Sequence, residues 1–239
     1  MVTVGMVAAL WRYPVKSMLG ERLDRFELDE RGVVGDRLYA VRDAEGRLGS
    51  GKSTRRFRRM DALRHIRARS VAGGPPLLVL ADGRELSCTD PAATGLLSAE
   101  LGFPVSVDRE GAVPHMDAEP VHLLTTAALG WLRGELPGGM VDERRFRPNL
   151  VVDTADSAAR ADLVEDDWIE RTVRIGDTVR LRVVKRTARC AMVNQARDGL
   201  PDDPRVLRTL AERNELNFGV YARPVRGGTV RVGDPVAVE

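Results

Sequence analysis

Only two of the 239 residues are cysteines, and one of them, Cys190, closes the run Arg186-Thr187-Ala188-Arg189-Cys190. Cations beside a thiol favour its thiolate form. A thiolate can act as nucleophile, redox centre or soft-metal ligand, whereas a cysteine that merely packs behaves as a small hydrophobe. Residue type and neighbours alone leave these roles open. The three histidines, His65, His115 and His122, form neither a His-Glu-x-x-His pair nor a Cys/His zinc spacing, and no Gly-x-Ser-x-Gly elbow occurs. They read as structural or surface residues. The densest carboxylate group, Glu165-Asp166-Asp167 before Trp168, reads as a solvated loop.

Two arginine clusters suggest anions. Arg55, Arg56, Arg58 and Arg59 form one, and Arg144, Arg145 and Arg147 form the other. Each is either a solvated face or a site for phosphate or carboxylate. Across the chain 37 basic residues nearly cancel 35 acidic ones, leaving a formal charge of +2, so no nucleic-acid partner is expected. Residues 46–53, Gly-Arg-Leu-Gly-Ser-Gly-Lys-Ser, match the Walker A spacing, with residues 77–82 as a nominal Walker B strand. That motif works only with a buried parallel strand entering the loop and a helix leaving it. Here the preceding strand meets a polar turn at 42–46 and arginines follow Ser53, so the expectation is a chance match.

The elements that position these residues are mostly strands. Alternating or β-branched runs predict strands at 2–11, 37–42, 77–81, 150–153, 172–175, 178–184 and 229–232. Asp82-Gly83 and Ile175-Gly176-Asp177 predict tight antiparallel turns. Helix signals are fewer. Asp90 with Pro91 opens a helix to about Leu101, Thr125 or Thr126 opens one through Leu136, and Pro204 opens one through Asn214. The fold class expected is α+β and β-rich. A polar, aperiodic stretch at 108–120 suggests a division into residues 1–113 and 114–239. The apolar N-terminus reaches Arg12 before it could span a bilayer and lacks the parts of a signal peptide, so it reads as a first strand. With no disulfide framework, a cytoplasmic protein without membrane association is expected.

Several separated segments together resemble the MOSC proteins, in the subgroup that carries an extra N-terminal β-barrel domain and includes the mitochondrial amidoxime reducing component. They are Tyr13-Pro14-Val15-Lys16-Ser17, Gly35-Asp36-Arg37, Arg145-Phe146-Arg147-Pro148-Asn149, Glu165-Asp166-Asp167-Trp168, Arg189-Cys190, Asn217-Phe218-Gly219-Val220-Tyr221 and Val232-Gly233-Asp234-Pro235-Val236. The resemblance implies a C-terminal MOSC β-barrel with a few helices beside an N-terminal β-barrel-like domain, with a molybdenum cofactor bound at the domain interface. This cofactor is a molybdopterin dithiolene bearing a phosphate. Cys190 matches the position that binds the metal; Lys16, Ser17, Arg37 and Arg147 match positions that hold the pterin and its phosphate. Thr125, Thr126, Asn149 and Arg189 match further cofactor-binding positions. Ala188 departs from the serine common in relatives, and Cys88 matches no cofactor position. The run from Lys52 to Arg59 matches a loop of bacterial relatives, which explains the Walker-like spacing.

The implied activity is reduction of an N-hydroxylated or N-oxide-like small molecule. Two cysteines cannot supply the four thiolates of an ordinary iron-sulfur cluster, and no flavin or nicotinamide fingerprint occurs, so electrons must come from a separate partner, an iron-sulfur or haem protein with a reductase. Thiolate chemistry equally permits a sulfur carrier with a persulfide on Cys190. A non-catalytic cofactor-binding protein is the third possibility.

Overall fold

The computed structural model describes residues 2–80, 82–154 and 162–239. The last residue of the strand expected at 77–81 lies outside these. Contacts divide the chain into two compact units that interleave in sequence. One comprises Met1–Trp11, Arg22–Val34 and Ala118–Glu239; the other comprises Arg12–Glu21 and Gly35–Asp117.

The first unit is built on a closed barrel of seven strands. In order around it they are Val2–Arg12, Leu150–Thr154, Val121–Thr125, Asn217–Arg226, Val179–Ala188, Thr172–Ile175 and Pro235–Val238, which returns to the first. Alternation drives the assembly: Val179, Leu181 and Val183 are buried while Arg180 and Arg182 between them are not, so one face of the strand meets the core. Val121–Thr125 and Leu150–Thr154 pair in parallel, which a tight turn cannot connect. Helix Thr126–Glu135 makes the crossover. The long pair Val179–Ala188 and Asn217–Arg226 breaks register at Arg180/Leu181, Val183/Lys185 and Arg186/Ala188. Such bulges re-aim side chains, and the last one immediately precedes the Arg189-Cys190 pair. A small sheet of Gly228–Arg231, Arg25–Asp29 and Gly32–Val33 completes this unit.

The second unit holds two sheets. One orders Val105–Arg109, Tyr39–Asp43, Leu48–Ser50 and Phe57–Arg59; the other orders Glu85–Ser87, Gly74–Val79 and Arg67–Val71. Helix Pro91–Leu101 packs in the same unit, and Val15, Met18, Val41, Leu63, Leu78 and Leu97 share one buried core. The turn around Asp82-Gly83 joins an antiparallel pair, with the Leu80 amide donating to the Arg84 carbonyl at 2.9 Å.

All three expected helices form within a residue or two of their sequence signals. Asp90 accepts from the Ala92 amide at 2.8 Å, Thr125 accepts from the Ala128 amide at 3.0 Å, and the third runs Arg205–Asn214 after Pro204. The Walker-like segment holds no phosphate loop. Its residues 46–53 run through a hairpin turn and the strand Leu48–Ser50, and the next element is another strand. Gly49 is there for packing, since a Cβ on it would lie 2.5 Å from Leu63 Cδ1. No helix among the described residues is long and apolar enough to cross a membrane.

Candidate functional site

Cys190 follows the strand Val179–Ala188, in extended backbone, and opens the short 3-10 turn Ala191–Val193. Its side chain is partly exposed, whereas Cys88 is buried in the second unit, where desolvation pushes its thiol up to about 12. Only Cys190 therefore presents a usable thiol.

The turn is held from behind by Arg145, which is 1% exposed. Its Nε donates to the Met140 carbonyl at 2.9 Å, Nη1 to the Val193 and Asn194 carbonyls at 3.3 and 3.4 Å, and Nη2 to the Pro201 carbonyl at 2.8 Å. Burial pulls this guanidinium's pKa down, with Asp203 and Asp142 opposing. Arg144 pairs with Asp142 at 2.8 Å and Asp198 at 3.2 Å. The cluster of Arg144, Arg145 and Arg147 is thus neither a solvated face nor one anion site. Two of its members tie the segment after Cys190 to the loop before the Leu150–Thr154 strand.

Arg189, adjacent to Cys190 in sequence, sends its head elsewhere. Nη2 donates to the Phe146 carbonyl at 2.6 Å, Nη1 lies 3.5 Å from His122 Nε2, and the guanidinium carbon is 5.5 Å from the Phe146 ring centre. It thereby grips the peptide just before Arg147, which sits in the left-handed region at φ 55°. Asn149 is buried, and both ends of its amide are used: Oδ1 accepts from the His122 amide at 3.2 Å and Nδ2 donates to the Trp11 carbonyl at 3.3 Å. Asn149 is a stitch between barrel strands rather than an open donor.

Thr125 and Thr126 are likewise committed. Thr125 caps its helix and donates to Glu165 Oε2 at 2.6 Å, while Thr126 donates to Asp153 at 2.8 Å. The acidic run after Leu163 is not a solvated loop. Glu165 is completely buried, desolvation pushes its carboxyl up to about 7, and Trp168 joins the barrel core. Asp166 pairs with Arg186 at 3.1 Å.

In the second unit, Asp36 organises the other candidate residues. Its buried carboxylate accepts from the Tyr13 amide at 2.7 Å and pairs with the Arg37 guanidinium, whose carbon lies 4.8 Å from the Tyr13 ring centre. The Arg37 amide donates to the Tyr13 carbonyl at 2.7 Å and the Lys16 amide to the Tyr39 carbonyl at 2.8 Å. The Lys16 ammonium, 3% exposed, reaches Asp117 Oδ1 at 2.7 Å. Lys16 and Lys52 lie 5.1 and 5.2 Å from the Phe57 ring centre. Ser17 donates to the Gly49 carbonyl at 2.9 Å. The arginines of 55–59 are mostly spoken for: Arg58 lies over Phe103 and near Asp43, Arg59 pairs with Asp61, and Arg56 donates to the Pro114 carbonyl.

Seven non-glycine residues among those described have positive φ, and three of them are Ser17, Arg37 and Arg147. Such backbone costs on the order of 1 kcal/mol each and persists where neighbours enforce it, commonly at binding sites. Sequence reasoning missed Asp36, Asp117, Arg145, Glu165 and His122 as parts of these arrangements. Asp36, Arg145 and Glu165 carried a signal, each lying inside a quoted motif, whereas Asp117 and His122 carried none.

The MOSC domain family model matches residues 108–237, and the model of the MOSC N-terminal beta barrel domain matches residues 4–92. Mitochondrial amidoxime-reducing component 1 of Mus musculus is 27% identical over 98% of this chain and 82% of its own length. Mitochondrial amidoxime reducing component 2 of Bos taurus is 27% identical over 98% of this chain and 83% of its own. Among solved structures, the YUAD protein from Bacillus subtilis shares the fold, with a TM-score of 0.56 and 12% identity over 98% of this chain and 95% of that one. With more than half its length matched by the domain model, the chain belongs to the MOSC domain family.

Proposed function

We propose that the protein is a molybdenum-cofactor-dependent reductase of N-hydroxylated or N-oxide-like small molecules, with Cys190 as the protein's ligand to the metal. The observation that carries this reading is the partly exposed Cys190, set on a turn anchored by a buried arginine, in a chain aligned almost end to end with amidoxime-reducing components. Molybdenum accepts sulfur ligands, and a fixed thiolate suits it. The pterin's own sulfurs would supply the metal's other sulfur ligands, with Cys190 as the ligand from the protein. The cofactor, when bound, supplies the two-electron chemistry that converts N–OH, with two protons, to N–H and water.

The chain's own residues divide the remaining work. Lys16 and Arg37, with Ser17, suit the phosphate, since a buried ammonium and a planar fork favour an anion. Arg147 serves the pterin from a strained backbone position that the Arg189 grip on Phe146 enforces. Thr125, Thr126, Asn149 and Arg189 act by holding the barrel strands and turns in place. Electrons come from a separate redox partner, and the compartment is a reducing one, the cytoplasm.

Metal and pterin content decides this. Wild-type protein made under molybdate supply in a pterin-competent host is expected to carry both at near-stoichiometric amounts, and Cys190→Ser to lose metal. Loaded protein should then reduce an amidoxime only with an added electron-donor system. An added sulfur on Cys190 by mass spectrometry, with no molybdenum, would instead establish the persulfide carrier.

A further inference from the structure

Lys16, Arg37 and Lys52 all act on a single carboxylate, that of Asp117. Desolvation by the surrounding protein would push this half-exposed carboxyl up, yet Lys16, by charge and hydrogen bond, together with Arg37 and Lys52, holds it down at about 2. The two ends of the bridge are not equivalent. The Lys16 side chain is 3% exposed and that of Asp117 is 50% exposed. The ammonium has no route to water, and a buried cation without an anion is costly. The half-exposed carboxylate has a path into solvent, which it can take when another anion replaces it beside the ammonium.

Charge points the same way. With Asp36 already spent on Arg37, three cations face two carboxylates, a net charge of +1; with Asp117 turned out the same group carries +2. A phosphate monoester carries about −1.5 to −2 near neutral pH. Asp117 itself is exposed, whereas His115 and Met116 before it are buried, so the displacement is a rotation of the Asp117 side chain rather than a movement of the loop. Gly111, Ala112, Val113 and Pro114 are exposed, and the stretch is fixed upstream by the Glu110 amide on the Leu38 carbonyl at 2.8 Å and at His115, whose Nε2 lies 3.1 Å from Arg42 Nη2.

We propose that Asp117 is a placeholder anion: its carboxylate fills the seat formed by Lys16, Arg37 and Lys52 and is displaced by the phosphate of a phosphomonoester ligand. The inference rests on the reductase reading only for the identity of that ligand, the pterin phosphate. It makes Asp117 a brake on loading and Lys52 a third member of the anion seat.

The test uses full-length protein from a host that cannot make the pterin, with inorganic phosphate and pyrophosphate as probes in titration calorimetry. Asp117→Asn is expected to bind them about tenfold more tightly than wild type, the size of one charge-assisted hydrogen bond that no longer has to be broken. Asp117→Ala should act in the same direction, which guards against an asparagine that still holds Lys16. Lys16→Met should abolish binding in either background. Unchanged or weaker binding by both Asp117 variants overturns the proposal, even if wild type from a competent host carries molybdenum and pterin. Tighter binding by the variants sustains the placeholder, even if that host yields no cofactor and the reductase reading fails.

Discussion

Arg145 and Lys16 are both almost completely buried cations, and they are satisfied in opposite ways. Arg145, behind the turn that carries Cys190, spends its guanidinium on four backbone carbonyls. Lys16, in the other unit, faces the half-exposed carboxylate of Asp117. Carbonyls cannot leave without unfolding the loop that owns them, whereas a side-chain carboxylate can rotate away. The first arrangement is built to stay and the second to exchange. The contrast suits the proposed roles, since a metal-binding thiolate needs a fixed position and an anion seat must be emptied before it is filled.

The largest effect should come from the fixed side. Arg145→Ala strips the donors from the carbonyls of Met140, Val193, Asn194 and Pro201 and empties the space of a side chain that is 1% exposed, so unfolding in denaturant should show a loss of about 3 kcal/mol or more. Arg145→Lys should not rescue it, because one ammonium cannot span the carbonyls that a planar fork reaches. Alkylation of Cys190 in the folded Lys variant should speed up as its turn loosens. A loss below about 1 kcal/mol would erase the contrast.

Glu165 sharpens the same point, because burial in the barrel unit shifts even a carboxyl toward its neutral form. Its folded pKa of about 7 lies above the ordinary carboxylate value, so its stability contribution is complete below about pH 4 and is lost as pH rises through 7. Glu165→Gln keeps an acceptor for the Thr125 hydroxyl and removes the ionisation. The variant should gain on the order of 2 kcal/mol over wild type at pH 8 and none at pH 4. A parallel pH dependence in the two proteins would show that Glu165 is ionised in the folded state.

The thiols form a third, smaller contrast. Cys88→Ser places a hydroxyl in the packed core beside Leu78 and Leu97 and should cost about 1–3 kcal/mol. Cys190→Ser, at a partly exposed position, should lie within about 0.5 kcal/mol of wild type in thermal unfolding while losing metal.

What was legible in the sequence follows from range. Helices announced themselves through local chemistry: Asp90-Pro91 at one start, Thr125 at another, Pro204 at the third. Strands with clean alternation, such as Thr172–Ile175, were equally plain. The strand Asn217–Arg226 was hidden as an element because Gly219 and Pro224 interrupt it. Gly219 is required there, since a Cβ would lie 2.6 Å from His122 Nε2 and its φ is 78°. Strands of two or three residues, such as Leu48–Ser50, carry no period at all. For the site, Cys190 stood out by rarity, and Lys16, Ser17 and Arg37 through their motifs. Asp117 could not, because it meets Lys16 across 101 residues and no spacing rule spans that distance. Arg145 and Arg147 look alike in sequence; only burial separates the carbonyl clamp from the candidate ligand holder.

An effect well below that of Arg145→Ala tests the exchangeable side. Removing the Asp117 carboxylate leaves Lys16 buried, but asparagine still offers Oδ1, and buffer anions can occupy the seat. Asp117→Asn should therefore cost less than about 1 kcal/mol by denaturant unfolding, in the range of partly exposed ion pairs, and phosphate should offset much of that cost. The wild-type pair should also weaken as salt rises, because one of its partners faces water, while the Arg145 contacts should not respond. Comparing the two variants across ionic strength separates the arrangements most directly. If Asp117→Asn costs as much as Arg145→Ala and shows no dependence on salt or phosphate, the Lys16 pair is a structural lock, and the division into a fixed half and an exchangeable half fails.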